Sequence, residues 1–150
     1  MDKVVSSIST PVGEFYMVIE GKTVIKSGFG KAPKFKVINS HPYTKLINDY
    51  FNGDKTALNK IPYAQTGSPF TCKTWEAISK IPFGQVQTYS QLAEIAGNKK
   101  AVRATGTACG KNNIVLIVPC HRVIKSDGGI GKYSGGLGIK ELLLSHESQL

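Results

Sequence analysis

Residues 114–122 have the sequence IVLIVPCHR, an apolar run that ends in a cysteine, a histidine and an arginine. The five consecutive apolar residues predict a buried strand. Pro119 then fixes the backbone just before Cys120, and His121 follows directly. We therefore expect a thiol and an imidazole at the end of a rigid strand, a place that suits side chains that carry chemistry.

Cys120 has two interpretations. A cysteine after a buried strand is usually a small core residue. Here the same part of the chain also supplies a possible base in His121, hydroxyls in Tyr133 and Ser134, and a carboxylate in Glu147, which favours a nucleophile. Neighbouring residues in an extended chain point to opposite sides, so His121 is expected to reach the sulfur only through a backbone turn or a water molecule. A cysteine–water–histidine–glutamate relay fits that geometry.

The residues around this stretch predict a mostly helical region. A helix capped by Ser68 starts at Pro69 and stops before the sequence Pro-Phe-Gly at residues 82–84. Two short helices over about 90–96 and 100–109 have the spacing of a helix-turn-helix. A last helix runs from Leu137 to about residue 148. Its expected apolar stripe consists of Ile139, Leu142, Leu143 and His146, with Glu147 on the flank.

The second of the two short helices is unusual in composition. Ala101, Ala104 and Ala108 recur at helical spacing, and Gly106 lies among them, so the helix can approach a neighbour closely. Tight packing on another helix and contact with DNA both explain this pattern. Since Arg103 is the one long polar side chain available to read bases, any DNA contact should be weakly sequence-specific and in the minor groove.

The first third of the chain predicts a small sheet. Residues 15–25 alternate in character and turn in the middle, which is typical of a hairpin, and residues 42–52 have helical spacing after a proline. A turn-rich stretch follows. We therefore predict an α/β chain of the α+β type, with a sheet-containing lobe at 1–65 and a helical lobe at 66–150.

Composition limits the functional class. The chain has 19 Lys and Arg against 10 Asp and Glu, and its net charge of +9 is spread over both lobes, which favours an anionic partner such as nucleic acid or an acidic membrane. No apolar run approaches the about 18 residues of a membrane span, and the first residues lack a signal-peptide pattern, so we expect a cytoplasmic protein. The three cysteines have no CxxC spacing, so we assign neither a disulfide framework nor a metal.

Five motifs occur in a specific order: IPFGQVQTY at 81–89, AVRATG at 101–106, PCHRVI at 119–124, GKYSGG at 131–136 and KELLLSHE at 140–147. Together they resemble the O6-alkylguanine-DNA alkyltransferase family, also called methylated-DNA--protein-cysteine methyltransferases. The resemblance covers residues 68–147, about half of the chain. It is carried mainly by PCHRV in that setting, which is highly specific.

The resemblance implies a two-lobed protein. The N-terminal lobe should hold a small antiparallel sheet and a helix, and the mostly helical C-terminal lobe should carry the helix-turn-helix and the active site. It also implies a single-turnover DNA repair reaction, in which the alkyl group of O6-alkylguanine, and of O4-alkylthymine, moves irreversibly to Cys120. The expected partner is duplex DNA, with no cofactor, no membrane and no obligate protein partner. The protein should be a monomer, and nucleoid-associated if the source is prokaryotic.

Five residues take catalytic roles by this resemblance. Cys120 is the alkyl acceptor, His121 the water-mediated base, and Glu147 the carboxylate that orients His121. Asn112 is the hinge asparagine that hydrogen-bonds near the cysteine. Tyr89 donates to N3 of guanine, a task for which a phenol in a desolvated pocket is suited.

Other residues are implied to hold the substrate. Tyr133 and Ser134 resemble the pocket wall and the donor to O6, and the backbone carbonyls of Cys120 and Val123 receive the guanine amino group. Because the target atom lies inside a base stack, the nucleotide must be flipped out.

The second short helix is implied to contact the DNA around the flipped base. Arg103 resembles the residue that fills the vacated space, with Ala104 and Gly106 beside it in the minor groove. Cys109 stands where some members of the family carry a larger apolar residue against the substrate. The family commonly has Asn-Pro at the hinge, whereas this chain has Asn112-Asn113, which puts the tightness of that turn in doubt.

Two other functions remain open from the sequence. One is a non-catalytic protein that binds alkylated DNA, against which the presence of Cys120 argues directly. The other is an unrelated cysteine hydrolase, in which the basic helices would be structural. Turnover separates the hydrolase from the alkyltransferase, because an alkyltransferase is consumed in proportion to its concentration.

Overall fold

A four-stranded sheet begins the chain in the computed structural model, which describes residues 2–131, 133 and 136–148. Strands β1 (Lys3–Thr10) and β2 (Gly13–Glu20) form an antiparallel hairpin, and β3 (Thr23–Phe29) pairs antiparallel with β2. A two-residue strand, β4 (Lys36–Val37), adds to β1 in parallel and completes the order β3-β2-β1-β4. The predicted antiparallel sheet is confirmed for β2 and β3, while β1 and the parallel β4 were not predicted.

Helix α1 (Pro42–Phe51) follows the sheet and packs against β1. His41 caps it, since its Nδ1 accepts a hydrogen bond from the backbone N–H of Tyr43 at 3.1 Å, and proline occupies the first helical position. The helix buries Ile47 and Tyr50, and a short 3₁₀ helix at Ala57–Lys60 packs beside it. The predicted helix over 42–52 is confirmed to within one residue.

The first compact unit comprises Met1–Gln65 together with Asn113–Ile117. The sequence predicted a buried strand at 114–118, and this prediction is wrong. The segment is buried, but it turns at Leu116, which has a positive φ of 74°, and it makes only isolated β-bridges. Ser27 donates to two carbonyls of this region, from its N–H to Asn113 O at 2.8 Å and from its hydroxyl to Val115 O at 2.8 Å.

The second unit comprises Thr66–Asn112 and Val118–Leu150, and three helices form its first half. These are α2 (Pro69–Ser79), α3 (Tyr89–Ile95) and α4 (Val102–Gly110), which pack on one another. The Ser68 hydroxyl caps α2 as predicted. The helix-turn-helix spacing of α3 and α4 is confirmed, and both helices lie within two residues of their predicted bounds.

A short parallel pair sets the position of the candidate site within this unit. β5 (Gln87–Thr88) immediately precedes α3, and β6 (Val123–Ile124) immediately follows a 3₁₀ helix at Cys120–Arg122. Gln87 pairs with Val123, so the start of α3 lies beside the chain that leaves Cys120. The cysteine therefore begins a 3₁₀ turn rather than ending a strand.

Helix α5 (Leu137–Ser148) has the predicted bounds but a different buried face. The fully buried positions are Lys140, Leu143 and Glu147, whereas Leu142 is 51% exposed. The predicted stripe is therefore confirmed for Leu143 and wrong for Leu142. Lys140 and Glu147 join the buried face because polar partners inside the protein hold both side chains in the core. No helix in the described part of the chain is long and apolar enough to cross a membrane.

Candidate active site

Cys120 lies at the centre of the candidate site, with its side chain buried. The amide of Asn112 donates from Nδ2 both to the sulfur of Cys120, at 3.3 Å, and to the carbonyl of Val118, at 3.0 Å. Asn112 directly follows α4 and the turn that ends it, and its own backbone N–H donates to Cys109 O at 3.2 Å. One asparagine therefore fixes the thiol relative to the end of α4, despite the Asn112-Asn113 sequence at the hinge.

His121 is fully buried and is held by Glu147, with 2.8 Å between Nε2 and Oε2. An ionised carboxylate can only accept a hydrogen bond, so Nε2 carries the proton and Nδ1 presents a lone pair. Nδ1 is also buried, and it has no hydrogen-bond partner among the described residues. The ring is thus oriented on one side and open to receive a proton on the other.

Arg122 completes this arrangement, although the sequence analysis gave it no role. Its Nε and Nη2 donate to the two oxygens of Glu147, each at 2.8 Å, and its Nη1 donates to Ile81 O at 2.8 Å. The carboxylate therefore receives hydrogen bonds from both Arg122 and His121. The sequence did offer a signal, since this arginine is part of the quoted run PCHR.

Electrostatics keep the glutamate ionised and the histidine neutral. Burial acts to raise the pKa of Glu147, but the hydrogen bonds from His121 and Arg122 outweigh it and hold this pKa well below its usual range. Burial lowers the pKa of His121, against the opposite effect of the adjacent Glu147. At neutral pH the pair therefore consists of a carboxylate and a neutral imidazole, which can act as a base.

The thiol and the phenol nearby are both protonated in the resting state. Burial raises the pKa of Cys120, while the hydrogen bond from Asn112 and the charge of Lys140 act in the opposite direction. Burial also raises the pKa of Tyr89 to about 12 and of Cys109 to about 12. Removal of the Cys120 proton thus needs a base close by, and Tyr89 remains a proton donor through the neutral range.

A cavity of about 1150 Å³ lies on the surface of the second unit. Its lining includes Tyr89, to which the sequence analysis gave a catalytic role, and Arg103 and Gly106, which it assigned to DNA, together with Gly131 and Lys125. Its volume is large enough for a nucleobase. The start of α3 and the outer face of α4 therefore line the same cavity.

The remaining predicted residues lie at different depths. Ala104 is exposed on α4, Cys109 is buried at the end of that helix, and the ring of Tyr133 lies 6.4 Å from that of His121. The carbonyl of Val123 accepts a hydrogen bond from Lys140 Nζ at 2.7 Å. Ser134 lies outside the described residues. In the part of the chain that is described, no group of three or more His, Cys, Asp or Glu side chains is arranged to hold a metal ion.

Lys140 is the second residue of the site that the sequence analysis missed. Its side chain has 0% exposure, and it lies seven residues before Glu147 on α5, hence on the same helical face. That spacing was visible in the sequence. The sequence analysis nevertheless gave Lys140 no role, and lysine is almost never fully buried.

Comparison with known proteins gives one consistent result. The family described as "6-O-methylguanine DNA methyltransferase, DNA binding domain" matches residues 69–149. A methylated-DNA--protein-cysteine methyltransferase from Shigella flexneri is 44% identical over 104 residues, which are 69% of this chain and 61% of the relative. The chain thus spans less than two thirds of that relative's length.

Two further similarities extend over nearly the whole chain. A methylated-DNA--protein-cysteine methyltransferase from Haemophilus influenzae is 33% identical over 147 residues, covering 92% of this chain and 82% of the relative. The crystal structure of Mycobacterium tuberculosis OGT in complex with DNA superimposes with a TM-score of 0.88 at 27% identity, covering 97% of this chain and 93% of the other. The similarity therefore includes both units.

Proposed function

Because this chain belongs to the 6-O-methylguanine DNA methyltransferase family, we propose that it repairs DNA by moving the alkyl group of O6-alkylguanine to its own Cys120. The observation that carries the proposal is the arrangement around one buried thiol. Asn112 donates a hydrogen bond to the sulfur of Cys120. His121, the residue after Cys120, is oriented by Glu147, and its Nδ1 has no hydrogen-bond partner among the described residues. Such a pairing of nucleophile, base and orienting carboxylate is what activation of a thiol needs.

The first step is removal of the thiol proton. It passes through a bridging water to Nδ1 of His121, and Glu147 stabilises the imidazolium that results. Arg122 holds Glu147 in place from the other side. The thiolate is the nucleophile, so transfer depends on the removal of this proton.

The second step is alkyl transfer. The sulfur of Cys120 attacks the alkyl carbon, a sulfur–carbon bond forms, and the bond between that carbon and O6 breaks with its electron pair on the guanine. Tyr89 gives its phenolic proton to N3, so the base leaves uncharged, and the proton held by His121 returns to Tyr89 through solvent. The net reaction exchanges the thiol hydrogen for the alkyl group. The thioether is stable, so each molecule acts once.

The DNA is bound by α3 and α4. Arg103, Ala104 and Thr107 are exposed on α4, and Gly106 adds no side chain, so the helix can lie close to the floor of a minor groove. The alkylated nucleotide is flipped out of the stack toward Cys120, and Arg103 fills the gap that it leaves. Tyr89 and Arg103 both line the cavity of about 1150 Å³, whereas Cys120 is not among its lining residues. The net charge of +9 supports binding to the phosphate backbone. The protein acts as a monomer, without an obligate protein partner.

Stoichiometry tests this proposal. A fixed amount of protein is mixed with a tenfold excess of duplex DNA that contains O6-methylguanine, and the guanine restored is counted at the end point. We expect one restored guanine per protein molecule, with no further product on longer incubation. Continued product formation would indicate a hydrolase, and binding without any product would indicate a lesion-binding protein.

A further inference from the structure

Ser27 is a buried serine of β3 that holds the stretch of chain between Asn112 and Val118. The residue is 2% exposed. Its backbone N–H donates to Asn113 O at 2.8 Å, and its hydroxyl donates to Val115 O at 2.8 Å. Both acceptors lie in the segment of residues 113–117, which belongs to the same compact unit as β3. One serine thus holds this segment at two points.

Gln65 adds a third hydrogen bond to the same segment. Its Oε1 accepts from the backbone N–H of Asn113 at 3.1 Å, and Gln65 also lies in the first unit. The family commonly has proline after the hinge asparagine, and proline has no N–H to donate. The contact with Gln65 therefore depends on the Asn112-Asn113 sequence of this chain.

The segment depends on such contacts because its backbone conformation is unusual. Leu116 has a φ of 74°, in the left-handed region that is unfavourable for a bulky side chain. A residue in that region keeps its conformation only where the surrounding structure enforces it. Ile114 and Leu116 are both fully buried, so packing and hydrogen bonds together determine the path of residues 113–117.

The residues at the two ends of this segment hold the reacting thiol. Asn112 precedes the segment, and its Nδ2 donates to the sulfur of Cys120 at 3.3 Å. Val118 follows the segment, and its carbonyl accepts from the same Nδ2 at 3.0 Å and from the N–H of Cys120 at 2.8 Å. A change in the path of residues 113–117 therefore displaces Asn112 and Val118, to which the segment is directly joined.

We propose that Ser27 is a positioning residue of alkyl transfer, which acts through the 113–117 segment to keep Asn112 in hydrogen-bond contact with the sulfur. Gln65 supports the segment at its first residue. Neither side chain is part of the proposed DNA contacts, so the loss of either should slow transfer without weakening the binding of DNA. This inference rests on the proposed function, because it assigns Ser27 to that same reaction.

Two variants remove the contacts one at a time. Ser27→Ala removes the hydrogen bond to Val115 O and keeps the backbone bond to Asn113 O. Gln65→Ala removes the acceptor for the N–H of Asn113. Correct folding of both variants is checked by thermal unfolding.

Ser6→Ala is the matched control. Ser6 lies on β1, has 0% exposure, and its hydroxyl has no hydrogen-bond partner among the described residues. Ser6 pairs with Met17 and Met17 pairs with Ser27, so the two serines lie in one row across the sheet. The control thus removes a buried hydroxyl from the same sheet without removing a contact with residues 113–117.

The first measurement follows Asn112 directly and needs no DNA. Hydrogen exchange of its side-chain amide is measured by NMR on ¹⁵N-labelled protein. We expect exchange to be about tenfold faster in Ser27→Ala than in the parent protein, the order of change that the loss of one buried hydrogen bond produces. Ser6→Ala should retain the parent rate of exchange, and Gln65→Ala should increase it by a smaller factor.

The second measurement is single-turnover transfer from duplex DNA that contains O6-methylguanine, over a range of DNA concentrations. We expect the rate at saturating DNA to fall about tenfold in Ser27→Ala, because a small displacement of a reacting group is costly. It should fall by a smaller factor in Gln65→Ala. The half-saturating DNA concentration should stay the same. The amplitude should also stay at one methyl group per molecule, since the amplitude reports the folded fraction and the rate reports the position of the thiol.

Three results would overturn the inference. The first is a Ser27→Ala variant with a lower amplitude and the parent rate, which would make Ser27 merely structural. The second is an equal fall in rate in Ser6→Ala. The third is an Asn112 amide that exchanges at the parent rate in Ser27→Ala. If Ser27→Ala does not fold, Gln65→Ala decides by the same criteria. Failure of the parent protein to accept a methyl group from DNA would overturn the proposed function instead, and the exchange measurement would still report on Ser27.

Discussion

Arg122 and Glu147 meet in a two-point contact, with 2.8 Å between Nε and Oε1 and 2.8 Å between Nη2 and Oε2. The same Oε2 lies 2.8 Å from Nε2 of His121. The guanidinium is also anchored to Ile81 O, so its position is set by the chain that precedes β5. The orientation of the candidate base therefore depends on an arginine that lies one residue after it.

Arg122→Met should destabilise the protein by about 3 kcal/mol, because it leaves the buried carboxylate of Glu147 without its cationic partner. Denaturant unfolding measures this change. Lys80→Met is the control, since it breaks an ion pair with Glu76 in which both side chains are exposed, and it should cost less than about 1 kcal/mol. Equal losses in the two variants would show that the Arg122 contact contributes no more than a surface ion pair.

Stability should fall as the solution becomes acidic. The pKa of His121 lies below its ordinary value of 6.5 in the folded protein, so below that pH the unfolded chain binds more protons and is favoured. The pKa of Glu147 lies below its ordinary value of 4.5, so a second loss follows from about pH 4.5 downward. The free energy of unfolding, measured from pH 8 to pH 4, should therefore decrease first below pH 6.5, from His121, and then further below about pH 4.5, from Glu147.

A variant separates the histidine contribution from the rest. His121→Gln cannot titrate, so its stability should change less between pH 7 and pH 5 than that of the parent protein. The prediction is wrong if the two proteins lose the same stability over that interval.

Tyr89→Phe should slow alkyl transfer while leaving the affinity for DNA nearly unchanged, because it removes one proton donor and little contact area. Burial raises the pKa of Tyr89 to about 12, so the effect should be constant from pH 6 to pH 9. Single-turnover rates and equilibrium binding measure the two quantities. Tyr43→Phe is the control, since the Tyr43 hydroxyl donates to Lys22 O in the first unit, and equal rates in the two variants would exclude the donor role.

Arg103→Ala should distinguish a base-flipping residue from a phosphate contact. A residue that fills the gap matters only where a base leaves a stack, which costs a few kcal/mol. We therefore expect repair of duplex DNA to slow by about 100-fold, repair of single strands to slow less, and reaction with free O6-benzylguanine to be unchanged.

The control for Arg103 is Lys111→Ala, in which an exposed cation just after α4 is removed. The substitution should weaken binding to duplex and single-stranded DNA alike. It should also reduce the dependence of the logarithm of the binding constant on the logarithm of the salt concentration by about one unit. If Arg103→Ala slows the reaction with all three substrates equally, the arginine stabilises the structure of the pocket instead of filling the gap left by the flipped base.

Helix boundaries were predictable where the signal is local. Ser68 and Pro69 at the start of α2, and Pro42 at the start of α1, act on the backbone groups within one turn, so the sequence alone determines those ends. Strand β1 was missed because its two buried positions, Val5 and Ser6, are adjacent and one of them is a serine, so no apolar alternation is visible. Its pairing also depends on β2.

The apolar run at 114–118 shows where periodicity fails. Burial was predicted correctly, but a buried turn and a buried strand use the same residue types. The outcome is decided by Ser27, which lies 88 residues from Val115 in the chain and satisfies its carbonyl. No window of the sequence contains that partner.

The candidate site was predictable in part. The motifs implied a cluster of four residues, and the structure brings these together: Cys120, His121, Asn112 and Glu147. Glu147 contacts His121 although the two are 26 residues apart in the chain. Arg122 and Lys140 were missed because charged residues are expected at the surface, and only the partners in the folded chain make their burial favourable. The roles of these residues in alkyl transfer remain predictions.

Peptide mass mapping after reaction with duplex DNA containing O6-methylguanine tests the central claim most directly. We predict that Cys120 gains one methyl group, that Cys72 and Cys109 stay unmodified, and that Cys120→Ser binds the same DNA without any methylated peptide. A methyl group on Cys72 or Cys109 in place of Cys120, or restored guanine with no modified cysteine, would contradict the account.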